Sequence, residues 1–352
     1  MTALPDDAEE TTPEVLDVVL EGGGVKAIAL VGALDVLSEH GFEYARIAGT
    51  SAGAIVGAVL AAMVRADEPM SRLDEITRSL DYGALRDRRS GLRWLDSAPG
   101  PLELLADAIA VGRHDGAYSG AALRDWLDGV LADLGVRTFG DLRLDDPGGD
   151  GQMHDRYRLV VTASDLSRRL FVRFPWDYGD YGLDPDEQGV GAAVHASAAT
   201  PYLFEPVELR GVHGTSTLVD GGLVANFPIG IFDRLDGKDP RWPTIGIRLQ
   251  AAVRTDTPVD PVRDPVHLGI ALVETAVEGA QTTRALAPYN LARTIGIDTT
   301  GVGSFDFDIT AEQRDLLIAN GRAAARDFLE GGWPISRPAM VPSPVPPGSG
   351  DR

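Results

Sequence analysis

Between residues 14 and 65 the hydrophobic pattern switches period several times. Val15–Leu20 is a short β-branched run that stops at glycines, as a buried strand does. Ala27–Glu39 follows with Ile28, Val31, Leu34 and Leu37 at helical spacing, and Gly41 stands where a helix end takes a left-handed residue. Arg46–Gly49 predicts a second short strand, and Ala52–Val64, apolar almost throughout, predicts a buried helix. Strand, glycine turn, helix, strand, sharp turn, helix is the opening of an α/β sheet with parallel strands.

The character changes over residues 66–155. Helical patterns at Leu73–Leu80, Leu102–Val111 and Gly120–Leu134 are broken by Gly, Pro and Asp, which predicts a helical insertion or cap. Strand patterns return at Tyr157–Ala163, Leu170–Phe174, Val207–Leu209, Thr217–Val219, Ile245–Leu249 and Thr294–Ile297. Two long helices are expected, Pro265–Ala287 and Ala311–Leu329. The acidic residues 1–13 and the Pro/Ser/Gly-rich residues 333–352 read as disordered flanks of a domain spanning 14–332, with no internal repeat.

Composition narrows the function. The 352 residues suffice for one large domain or two ordinary ones, at about 100–200 residues each. With 44% hydrophobic and 24% charged residues a sizeable core can be buried. The absence of cysteine excludes a disulfide scaffold, a thiolate zinc site, an iron–sulfur cluster and a cysteine nucleophile. A net charge of −21 argues against nucleic acid as a partner, which needs a concentrated basic face. The acidic opening lacks the basic-then-apolar order of a secretory signal. The longest apolar run, Ala52–Val64, is shorter than the roughly 18 residues that cross a bilayer, so a cytoplasmic protein is expected.

Three segments carry candidate chemistry. Gly49-Thr50-Ser51-Ala52-Gly53 lies where a predicted strand turns into a predicted helix, the setting of a nucleophile elbow. Its glycines permit a sharp turn that lifts Ser51 Oγ clear of the sheet, with the helix N-terminus pointing at that oxygen. Glu21-Gly22-Gly23-Gly24-Val25-Lys26 also joins a strand to a helix. Three successive glycines let backbone N–H groups converge on a phosphate or a developing oxyanion. The spacing is not G-x-G-x-x-G, and no Gly-Lys-Ser/Thr follows, so dinucleotide and P-loop readings lose ground. Asp220-Gly221-Gly222 follows a third strand and places an acid at its C-terminal edge, although Asp-Gly-Gly is also an ordinary turn.

A serine nucleophile needs a base. Of the six histidines, His40, His114, His154, His195, His213 and His267, only His267 follows Asp220, and it lies at the start of a predicted helix. His195 sits in a small-residue helical stretch, Ala192–Ala198, and reads as packed. Asp220 is left as the carboxylate that could accept the Ser51 proton directly.

Taken together, these segments resemble the patatin-like phospholipases. That family carries a loop Gly-Gly-Gly-x-Lys/Arg-Gly, an elbow Gly-x-Ser-x-Gly and a later Asp-Gly-Gly/Ala. Gly22–Lys26, Gly49–Gly53 and Asp220–Gly222 match these in order; Ala196–Pro206 and Thr162–Leu166 are similar as well. One departure is Ala27, where the family usually has glycine. The resemblance implies an α/β, three-layer fold with a mostly parallel central sheet and a helical cap. It also implies hydrolysis of fatty-acyl esters, phospholipids above all, with no cofactor and no metal. Ser51 would be the nucleophile, Asp220 the base, and the amides of Gly22, Gly23 and Gly24 the oxyanion hole. Lys26, Gly49, Gly53, Gly221 and Gly222 would support them.

Two other classes stay open on sequence grounds. An acyltransferase would share the elbow and pass the acyl group to a carrier or alcohol. A silent module would keep the glycine loop for an anionic ligand. Two segments are candidates for transient contact with a lipid surface: Arg86–Trp94, with four Arg against one Asp, and the aromatic-dense Phe171–Tyr181. An ordinary solvated turn with core aromatics is the alternative for each.

Overall fold

The computed structural model describes residues 14–86, 116–144, 153–234, 240–250 and 287–333, together with 262, 268, 269, 271, 272 and 275. The elements in chain order open with β1 (Glu14–Leu20), α1 (Ile28–Glu39), β2 (Phe42–Thr50), α2 (Ala52–Arg65) and α3 (Ser71–Arg78). They continue with β3 (Gly116–Tyr118), α4 (Ala121–Asp133), β4 (Leu159–Asp165), β5 (Leu170–Phe174), α5 (Val190–Ala198) and β6 (Tyr202–Phe204). The last are β7 (Val207–Gly211), β8 (Gly214–Asp220), α6 (Gly222–Ala225), β9 (Thr244–Gln250), α7 (Pro288–Leu291), β10 (Thr294–Asp298) and α8 (Ala311–Glu330).

Eight strands form one sheet in the order β10-β9-β1-β2-β4-β8-β7, with β5 also on β4. The five strands from β10 to β4 are mutually parallel, and β8 and β5 run antiparallel to β4. The α/β arrangement with a mostly parallel sheet is the one the period switches predict. β1 lies between β9 and β2, and its last five residues are buried, which is why Val15–Leu20 reads as continuous rather than alternating. α2 is small and apolar because it is covered from Ala52 to Met63 by the sheet and neighbouring helices. α8 starts on a capping box: Gln313 N–H donates to Thr310 Oγ1, and Thr310 N–H donates to Gln313 Oε1. It crosses α1 at Gly32 and Gly321, where a Cβ on either glycine would run into the other helix's backbone.

One feature of the register positions the site. β4 uses one edge for β5, from Val161 to Asp165, and its other edge for two strands in succession. β2 pairs there with residues 159–162 and ends at Thr50 opposite Thr162; β8 pairs with residues 163–165 and ends at Asp220 opposite Ala163. The two strands run toward each other along that edge, so their C-terminal ends meet.

Several expectations are modified. In the stretch 66–155, α3 and α4 are helical, but Gly116–Tyr118 is a short strand that pairs with β6, and neither three-residue strand is marked in the pattern. The aromatic run Phe171–Tyr181 is core rather than lipid-facing: Phe174, Trp176, Tyr178 and Tyr181 are buried, and Phe174 stacks on Tyr178 at 4.2 Å. Of the basic segment Arg86–Trp94 only Arg86 lies among the described residues, and its guanidinium pairs with Asp308 at 2.7 Å. The helix expected at Leu102–Val111, most of Pro265–Ala287, residues 1–13 and 334–352, His114 and His267 lie outside them. Trp333 packs against Phe42 and Phe328, so ordered packing extends one residue into the expected tail. No helix among the described residues is long and apolar enough to cross a membrane.

Candidate active site

Ser51 is the single residue between β2 and α2. Its backbone has φ 53° and ψ −125°, a conformation that costs a non-glycine residue about 1–3 kcal/mol and that surrounding structure has to enforce. The flanking glycines make this possible. A Cβ on Gly53 would lie 2.5 Å from the carbonyl oxygens of Leu20 and Glu21, so α2 can start this close to β1 only without one. Ser51 O accepts from Ala54 N–H and Ile55 N–H, which makes Ser51 the N-cap of α2 and sets it at the positive end of the helix dipole.

The meeting of strand ends brings Asp220 to this serine. Ser51 Oγ donates to Asp220 Oδ2 at 2.7 Å, across 169 residues of sequence. Oδ2 also accepts from Thr200 Oγ1 at 2.9 Å, while Oδ1 accepts from Gly222 N–H at 2.8 Å. Asp220 is buried and Ser51 only half-buried, so the hydroxyl is reachable and the acid is shielded behind it. Burial raises the Asp220 pKa, and the hydrogen bonds from Gly222, Ser51 and Thr200 oppose the rise. Gly221 packs on Thr162, with no room for a Cβ beside that carbonyl.

The glycine loop lies against the same serine. A Cβ on Gly22 would come within 3.0 Å of Ser51 Cβ. Gly22 is bound to Asn226 on both sides: Gly22 N–H donates to Asn226 O at 3.3 Å, and Asn226 Nδ2 donates to Gly22 O at 2.8 Å. Its amide is thus already engaged, unlike the expectation for an oxyanion donor. The amides of Gly23 and Gly24 have no acceptor among the described residues. Gly24 takes φ +55° and leaves no space for a Cβ beside Ser304 O. Ala27 has φ −62°, ordinary helical backbone, so alanine replaces the family's glycine there without strain.

Glu21, at the head of this loop, has a role the sequence does not announce. Its Oε2 accepts from Leu249 N–H at 2.5 Å, and its Oε1 lies 3.5 Å from Arg248 Nε. Burial pushes its carboxyl up to about 8, against the Leu249 hydrogen bond and the attraction of Arg248 and Lys26. Lys26 therefore acts on Glu21. The folded chain holds a proton on Glu21 that the unfolded chain releases near its ordinary value of 4.5. Its stabilisation is fully present below that value and is lost as pH rises through about 8. Urea unfolding of Glu21→Gln and wild type, compared between those limits, should give a stability difference that changes by up to about 1.4 kcal/mol per pH unit. A difference that stays flat with pH would show that Glu21 is ionised in the fold.

The described histidines lie elsewhere. His40 Nδ1 contacts Val36 O at 2.8 Å, His154 packs on Trp176, His195 faces Gly120, and His213 is exposed in the β7–β8 turn. Sequence reasoning passed over Ser197, Thr200, Asn226 and Glu21. Ser197 and Thr200 belong to the family-like stretch Ala196–Pro206, which was the available signal.

Residues 18–233 match the Patatin-like phospholipase family. The uncharacterized protein YqhO of Bacillus subtilis is 34% identical over 315 residues, covering 90% of this chain and 98% of its own length. An uncharacterized NTE family protein of Mycobacterium tuberculosis is 26% identical over 335 residues; this chain spans 46% of it. Among solved structures, VipD from Legionella pneumophila shares the fold, with a TM-score of 0.51 at 21% identity over 91% of this chain and 67% of that one. The chain belongs to the patatin-like phospholipase family.

Proposed function

We propose that this protein hydrolyses fatty-acyl esters, phospholipids foremost, through a Ser51–Asp220 dyad. The observation that carries the reading is the 2.7 Å hydrogen bond from a strained, reachable serine at a helix N-terminus to a buried carboxylate. Ser51 Oγ attacks the acyl carbonyl while Asp220 Oδ2 takes its proton. The carbonyl oxygen becomes an oxyanion, which the amides of Gly23 and Gly24 receive. As the tetrahedral intermediate collapses, Asp220 returns the proton to the departing alcohol oxygen, leaving an acyl ester on Ser51. Water then attacks that ester and gives a proton to Asp220. The second collapse expels Ser51 Oγ, which recovers the proton, and free fatty acid leaves.

Each oxygen of Asp220 has its own part. Oδ1 is tied to a main-chain amide and fixes the carboxylate plane, so Oδ2 carries the proton back and forth. Incubation with phosphatidylcholine in mixed micelles should release free fatty acid and lysophospholipid in equal amounts, measured by mass spectrometry. Lysophospholipid with no matching fatty acid, and acyl chains recovered on an added alcohol, would make the protein a transferase.

A further inference from the structure

The turn that ends α5 reaches both members of the dyad. Ser51 N–H donates to Ser197 Oγ at 2.8 Å, and Thr200 Oγ1 donates to Asp220 Oδ2 at 2.9 Å. Between them Ala199 O accepts from Asp220 N–H at 2.9 Å. We propose that Ser197 and Thr200 are positioning residues of the dyad: Ser197 holds the amide of Ser51, and Thr200 holds Asp220 Oδ2 toward Ser51 Oγ. This rests on the reading of Ser51 as nucleophile and Asp220 as base.

Three observations support it. Helical serines commonly bond their own helix carbonyls, whereas Ser197 of α5 accepts from a residue 146 positions away in sequence, and Thr200 in the turn beyond the helix donates to one 20 positions away. Ser197 is fully buried, so its contact with Ser51 N–H is not exchanged for water. The turn itself is pinned: Ala199 N–H donates to Ala196 O, Thr200 N–H to Ala198 O, and Thr200 O accepts from Leu203 N–H and Phe204 N–H. A pinned turn with one hydroxyl on each partner fixes their separation. Ser197 also supplies part of the enforcement that Ser51 needs to keep its positive φ.

Thr200 has a second consequence, because a donor to Oδ2 favours the ionised form of Asp220. The other elements packed around Asp220 bring no charge that competes with it among the described residues. β4 contributes Thr162 and Ala163, the β2–α2 turn contributes Thr50 and Ser51, and α6 with its flanks contributes Gly222 and Asn226. The titratable group of α5, His195, faces Gly120, and Glu21 and Lys26 of the glycine loop act on each other. Removing the Thr200 hydroxyl therefore weakens one of the few forces opposing desolvation of the base.

The test measures kcat/KM against pH on a soluble short-chain ester, together with the rate at which a fluorophosphonate labels Ser51. Thr200→Val should move the acid limb to higher pH, and Thr200→Ser should return it to the wild-type position. Ser197→Ala should lower kcat and the labelling rate on the order of tenfold with KM little changed and the limb in place. Thr200→Ala substitutes for Thr200→Val if circular dichroism shows the valine variant unfolded. A limb that stays at its wild-type position without the Thr200 hydroxyl, whatever the height of the profile, overturns the role of Thr200. Wild-type labelling in Ser197→Ala overturns the role of Ser197. Asp220→Asn is the control: retained activity there defeats the dyad itself, whereas an inactive Asp220→Asn beside an unmoved limb in the Thr200 variant defeats only the role of Thr200.

Discussion

Ser51→Ala should abolish fluorophosphonate labelling and lower ester turnover by on the order of 10⁴ or more, with the fold unchanged. The magnitude follows from what is lost. Without Oγ no acyl-enzyme forms, and the remaining loop amides and carboxylate can only assist direct attack by water. The fold should tolerate the change, because the side-chain hydrogen bond removed is the one to Asp220, which keeps donors from Thr200 and Gly222. Alanine at this position also keeps the positive φ that the flanking structure enforces. Peptide mapping of the labelled wild-type protein is the decisive measurement. A probe adduct on another serine, or a turnover in Ser51→Ala within tenfold of wild type, would remove Ser51 from the mechanism.

Asp220→Asn should lose nearly all activity, on the order of 10³–10⁴-fold, while His40→Gln, His154→Gln, His195→Gln and His213→Gln each remain active. An amide of the same shape still accepts at its oxygen but cannot take the Ser51 proton. His40, His154 and His195 have other contacts, His213 is exposed, and none of the four bonds Ser51 or Asp220. His114→Gln and His267→Gln complete the set. The pH profile should agree in direction. Because burial raises the Asp220 pKa from its ordinary value, the base is ionised and active above the raised pKa, and activity falls as pH drops through it. Loss of activity in one folded histidine variant, with Ser51 no longer reactive toward the probe, would replace the dyad by a triad.

Much of this site is legible in one dimension because its demands on sequence are local. An elbow needs small flanking residues wherever a strand turns sharply into a helix: Gly49 answers the backbone of Gly53 and Ala54 one turn on, while Gly53 answers the distant carbonyls of Leu20 and Glu21. The glycine loop and Asp220-Gly221-Gly222 are visible as glycine runs at predicted strand ends, although the groups those glycines meet are distant in sequence. Ser197 and Thr200 are not, since a hydroxyl in a small-residue helix or in the turn that ends it looks the same whether its partner is local or, as for Ser197, a residue 146 positions away. Glu21 is likewise silent: a carboxylate before three glycines reads as solvated until Leu249 and Arg248 of β9 are known to close over it. The aromatic run Phe171–Tyr181 is ambiguous in one dimension, between a lipid-facing surface and core. Ring density alone does not say whether a segment faces the core or the surface, and the partners that bury it become evident only in three dimensions.

The sequence by itself determined the α/β class, the strand–turn–helix setting of Ser51, the acid at the end of β8 and the family likeness. Each of these rests on side-chain periodicity and on the steric freedom of glycine, which act over a few residues. Tertiary structure alone decided that β2 and β8 share one edge of β4 and end facing each other, Thr50 opposite Thr162 and Asp220 opposite Ala163. It also decided which amides the loop keeps available, with Gly22 held by Asn226 and those of Gly23 and Gly24 without an acceptor among the described residues. The physical reason is that strand pairing is written by backbone hydrogen bonds, which every residue type can make. Register between distant segments therefore leaves little mark on composition, and the 2.7 Å contact on which the proposed chemistry depends arises from that register.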